Sequence, residues 1–124
     1  MRIEGKWRIV EMDLWDQEAV ELLGPAFIEL EGQGGRFRFI AVDGSMSCKH
    51  GEKNGRPHVA FTWEGNDECD PVSGRGWVSL RTDGSLGGHV YFDQGDDSAF
   101  RALLFRQQVS RRRIDGVSRR RRPR

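Results

Sequence analysis

Phe27-Ile28-Glu29-Leu30-Glu31-Gly32-Gln33-Gly34-Gly35-Arg36-Phe37-Arg38-Phe39-Ile40-Ala41-Val42 is the stretch that decides the fold class. Apolar and polar side chains alternate on both sides of a glycine-rich break, the period of a strand with one buried face. The reading is a hairpin: a strand over 27–31, a turn at Gly32-Gln33-Gly34-Gly35 and a strand over 36–42. Phe37, Phe39 and Ala41 then face one side, and Arg38, Ile40 and Val42 the other.

The same period recurs outward from this hairpin. Residues 4–12 read as a first strand, with Trp7 and Ile9 on one face and Arg8, Val10 and Met12 on the other. Trp15, Ala19, Leu22 and Leu23 then fall on one face of a short helix, with Asp13 or Asp16 as its cap and Gly24-Pro25 as its stop. Further strands are expected over 45–50, 58–64, 76–81, 88–93 and 98–107. Asp43-Gly44, Asn54-Gly55 and Asp83-Gly84 read as turns, and 65–74 as a polar loop. Val59, Phe61 and Trp63 align on one face. About eight strands in antiparallel neighbour order predict an all-β fold, a calycin-like barrel or half-barrel with one short helix after the first strand, and a barrel leaves no exposed edge.

Composition bounds the rest. A chain of 124 residues is one domain, which excludes a multidomain enzyme. Its 20 Lys+Arg against 19 Asp+Glu hide two opposed parts. Residues 111–124 hold eight arginines and one acid, Asp115, while residues 1–110 net −6. The expected domain is 1–107, followed by a disordered arginine-rich tail over 108–124. No apolar run reaches membrane length and no signal-peptide core is present, so the expected location is the cytosol, with Cys48 and Cys69 as free thiols.

Two resemblances add to this. Gly5-Lys6-Trp7 is similar to the Gly-x-Trp opening strand of the calycins, the lipocalins and intracellular fatty-acid-binding proteins, and the helix ending at Leu23-Gly24 is similar to the latter. That resemblance implies a tryptophan closing the barrel base against a cation of the last strand, Arg101 or Arg106. The run Trp63-Glu64-Gly65-Asn66-Asp67-Glu68-Cys69-Asp70-Pro71 with Ser73-Gly74-Arg75-Gly76-Trp77 resembles a signature of small uncharacterised bacterial proteins, and implies a relationship without an activity.

Two places carry candidate chemistry. Asn66, Asp67, Glu68, Cys69 and Asp70 gather three carboxylates, an amide and a thiol, a pattern for a cation site or for a capped turn neutralised by Arg75. As a calcium loop it fails, with Pro71 at the sixth position and Trp77 at the twelfth. Cys48, His50 and Cys69, with His58 or His89, lack the spacing of a zinc site, so no metal, cofactor or catalytic residue is assigned. The second place is the interior: Trp7, Phe39, Phe61, Trp63 and Trp77, with Phe37, Phe92 and Phe100, form the expected core or pocket lining. Arg101 pointing inward would then meet an anion.

The expected function is therefore a small cytosolic binding module for an anionic or apolar ligand, recognised by Arg101 and the aromatic lining. A small enzyme or metal protein using the 66–70 loop is the alternative. An adaptor using the arginine tail is another, and the −6 body confines nucleic acid to that tail.

Overall fold

The computed structural model describes residues 2–105. Eight strands follow in order: β1 Gly5–Met12, β2 Phe27–Glu31, β3 Gly34–Phe39, β4 Val42–Lys53, β5 Arg56–Asp67, β6 Asp70–Leu80, β7 Leu86–Phe92 and β8 Asp97–Leu104. A one-turn helix, α1 Gln17–Val20, lies between β1 and β2. Each strand pairs antiparallel with the next, and β8 pairs with β1, which closes the sheet into a barrel. The all-β barrel with one helix after the first strand is thus observed.

Several elements differ from the sequence reading, each for a physical reason. The third strand stops at Phe39, because Phe39 pairs with Val42 and leaves Ile40-Ala41 as a two-residue turn. Ile40 sits there at φ +55°, a rare conformation for a β-branched residue. Its N–H donates to the Val20 carbonyl at the end of α1 (2.7 Å), a tertiary bond that local pattern cannot reveal. Asp43-Gly44 lies inside β4 and is no turn, since Gly44 pairs across to Phe37 and Gly65. The expected loop over 65–74 is a hairpin tip, with Asp67 opposite Asp70 and only Glu68-Cys69 turning. Asn54-Gly55 does turn, with both residues at positive φ, as that pair favours.

Met12 points inward with Trp7 and Ile9, because the β1–β8 register slips between Ile9 and Glu11 and flips the alternation. In α1 the buried residue is Val20, and Leu22 and Leu23 are exposed: one turn is too short to present a helical face. Asp16 caps it, accepting from the Ala19 N–H (2.9 Å). Asp13 instead fastens β8, accepting from Ser98 Oγ (2.7 Å) and the Ala99 N–H (2.8 Å).

The interior explains the glycine content. Phe37 lies opposite Gly44, Phe61 opposite Gly76, Trp63 opposite Gly74 and Phe100 opposite Gly88. A Cβ on Gly76 would stand 2.5 Å from the Phe61 ring, and one on Gly88 2.6 Å from that of Phe100. A barrel of eight strands encloses little space, so each ring takes the volume that its cross-strand neighbour gives up. Phe37, Trp63, Phe92 and Phe39 then interlock, mostly edge to face, and Trp15 caps Phe39 and Phe92 from the helix side (5.8 and 6.4 Å).

Candidate functional site

The interior candidates are core. Trp7, Phe39, Phe61 and Trp63 are buried in one apolar cluster, and four cavities on the described residues all open elsewhere than among Phe39, Phe61 and Trp63. The Trp7 indole N–H donates to the Ile3 carbonyl (2.9 Å), and Leu104 of the last strand lies across from it. Arg101 does not point inward. Phe100 and Ala102 take the interior positions of β8, so alternation turns Arg101 outward, where it pairs with Glu11 (3.5 Å). Arg106 and the arginine-rich segment lie outside the described residues.

Trp77 likewise points out of the barrel and not into it. Gly76, Val78 and Leu80 are buried on β6, so Trp77 stands between them on the outer face. There it stacks on His58 of β5, with centroids 5.6 Å apart and planes at 21°. The Lys53 ammonium lies 5.9 Å from its ring.

The acidic-thiol loop does not converge. Asn66, Glu68, Cys69 and Asp70 are exposed at the β5–β6 tip, with Asp67 half-buried, and the Glu68 N–H is held by the Ala41 carbonyl (3.0 Å). Arg75 does not neutralise it; strand pairing carries Arg75 along β6 to the Tyr91 ring, 4.6 Å away. Cys48 is buried on β4 six residues from Val42, which pairs beside the tip, so about 20 Å of strand separates it from Cys69. Burial pushes the Cys48 thiol up, which disfavours the thiolate a metal needs. Among the described residues no three metal-ligating side chains come together.

What the sequence reading missed lies around Trp77. A cavity of about 310 Å³ is lined by Lys53, Arg56, Trp77, Ser79, Arg81 and Thr82, with Leu80 and Gly87. It contains three cations, one indole and two hydroxyls, and no carboxylate. None of the three cations has an ion-pair partner among the described residues. The local acid, Asp83, is engaged by Ser85, whose N–H (2.9 Å) and Oγ (2.6 Å) donate to it. Those bonds, followed by Arg81 and Arg101 nearby, hold its carboxyl below the usual range. Arg81 lies along Gly87, where a side chain would collide with its guanidinium, and Gly87 pairs with Arg101. His58 accepts or donates at Ser79 Oγ, and burial, then Lys53, pushes its pKa down.

A larger groove of about 930 Å³ opens at the base between β1, β2 and β8. It mixes Arg2 and Lys6 with Glu4, Glu29 and Glu31, and its charges are partly spent on one another: Arg2 pairs with Glu4 (2.6 Å) and Glu29 with Arg36 (3.1 Å). Such a lining has no preference of sign. The smaller cavity does. The signal for it was present in the alternation, since Val78 and Leu80 fix Trp77 outward and Val59 fixes His58 outward. No helix among the described residues is long and apolar enough to cross a membrane. No protein-family model, curated protein or solved structure matches this chain.

Proposed function

We propose that this chain is a binding module for a small anionic ligand that carries an aromatic ring, taken on the outside of the barrel. The observation that carries this reading is the carboxylate-free cavity of Lys53, Arg56 and Arg81 beside the Trp77 indole. Three cations and no carboxylate line this cavity, and an anion seated there would offset their charge. Arginine forks suit phosphate or carboxylate oxygens, and an indole supplies a flat apolar face for a ring. The ligand class expected from the sequence is kept, while recognition passes from Arg101 and the interior to the outer face. The cytosol suits this role, because Cys48 and the exposed Cys69 are both free thiols.

The test uses adenosine 5′-monophosphate and adenosine as probes. The nucleotide is expected to move the Trp77 indole N–H resonance and adenosine to move it far less. Arg81→Ala is expected to weaken the nucleotide response roughly tenfold, as loss of a charge-assisted contact does. A nucleotide that perturbs no residue of this cavity would end the proposal.

A further inference from the structure

We infer that the ligand units come linked, and that the outer face of β5, β6 and β7 is a docking surface for single-stranded nucleic acid. The inference rests on the small-ligand reading for its cationic end and extends that site along β6. Solvent-facing positions of an antiparallel sheet ordinarily alternate as polar residues. Here they carry four rings in two stacked pairs. His58 lies on Trp77, and His89 on Tyr91 with centroids 4.4 Å apart and planes at 26°.

Register joins the pairs into one block: Trp77 is opposite His89, and Arg75 is opposite Tyr91, with its guanidinium over the phenol ring. Lys53, Arg56 and Arg81 stand at one end and Arg75 at the other. Arg81 and Arg75 are six residues apart, about 20 Å of strand. Cations bracketing rings match a strand that offers phosphates at intervals and an unstacked base between them. A duplex cannot use the rings, since its bases are already stacked inside.

The net charge of the body concealed this surface. Residues 1–110 net −6, yet within the block of rings the one paired carboxylate is Asp97, engaged by His89 Nε2 (2.6 Å). Net charge counts side chains without regard to where the fold sends them.

The test uses the full chain with an oligothymidylate of about twelve nucleotides, within the roughly 4–16 nucleotides that one small barrel covers. Affinity is measured at about 200 mM salt, where contacts to phosphate alone are much weakened. Tyr91→Ala and Trp77→Ala are each expected to lower oligonucleotide affinity roughly tenfold or more, as loss of one stacking ring does. The single strand, and not the duplex, should move the Trp77 indole resonance. Arg75→Gln keeps both ring pairs and should also weaken binding, with near-ultraviolet circular dichroism reporting that each variant is folded.

Unchanged affinity in the folded ring variants would overturn the inference and assign binding to the arginines after residue 105. Equal loss of heparin binding in Tyr91→Ala would overturn it too, because heparin has no bases to stack. The two readings fail separately. Mononucleotide binding without an oligonucleotide response removes the strand surface. An oligonucleotide response that depends on Tyr91, with adenosine 5′-monophosphate silent, supports the strand surface and removes the small-ligand reading.

Discussion

The two faces of β6 are built by opposite rules. Inward it presents Gly74, Gly76, Val78 and Leu80; outward it presents Arg75, Trp77 and Ser79, with Arg81 just past its end. Inside, glycine makes room for Trp63 and Phe61 reaching across from β5. Outside, the strand supplies the bulk itself, and its neighbours contribute the matching rings, His58 and His89. The inner face therefore has no freedom to change and the outer face has no packing reason to be aromatic. That asymmetry argues that the outer rings serve recognition and the inner ones stability.

The strongest way to break the comparison is a methyl group on the inner face. A Cβ on Gly74 would collide with the backbone carbonyl of Tyr91, which cannot swing away without parting β6 from β7. Gly74→Ala is expected to cost more than about 3 kcal/mol, enough to lower the melting temperature by well over 10 °C or to prevent folding. On Gly44 the nearest obstacle is instead the Phe37 ring. Gly44→Ala should cost about 1–3 kcal/mol and be partly rescued by Phe37→Leu, a coupling that a double-mutant cycle reads directly. Gly51, at the exposed end of β4, has open space around its Cβ position, so Gly51→Ala should leave stability within about 0.5 kcal/mol. Equal effects at Gly74 and Gly51 would show that the strand glycines are not there for room.

A second substitution pair sharpens the division of labour. Phe61→Ala removes a buried ring from over Gly76 and is expected to cost about 3–5 kcal/mol by chemical denaturation. Trp77→Ala removes a larger but only half-buried ring, stacked on His58 with Lys53 nearby, and should cost about 1 kcal/mol or less. If Trp77→Ala destabilised the fold as much as Phe61→Ala, the outer face would be a second packed layer and the recognition argument would lose its footing.

These contrasts mark what could be read from the chain. Alternation gave the strands, their antiparallel order and the inward set of Val59, Phe61 and Trp63, because a two-residue period is a local property. Met12 was misplaced because a bulge depends on the partner strand, and Ile40 because its turn is held by the carbonyl of Val20. Gly44 was read as part of a turn and Gly74 as part of a loop, although both are close-packed within strands. Their role depends on which residue lies across the sheet, and pairing register is not written in either strand alone. The candidate site was half legible: Trp77 was singled out, but on the wrong face, and Lys53, Arg56 and Arg81 became a group only when β4, β5 and β6 were set side by side.

The smallest expected effect is a matter of protons. Burial, then Lys53, lowers the folded pKa of His58 below its ordinary 6.5, so the unfolded chain takes up that proton first. The stability His58 contributes is full above about pH 6.5 and is lost as pH falls through its folded pKa. Glu4, Asp13 and Asp83, whose carboxyls are held down, titrate below this window. Melting temperatures at pH 7.5 and 5.5 should therefore fall more for the native protein than for His58→Gln. An anion seated against Lys53, Arg56 and Arg81 opposes the Lys53 push and favours the charged imidazole. With a nucleotide bound, the native protein's excess loss should shrink, and on acidification, where the phosphate itself takes up a proton, nucleotide affinity should hold up better in the native chain than in His58→Gln. The same pH dependence in both proteins would place the anion away from His58, and so away from the Trp77 stack on which the outer face's proposed role depends.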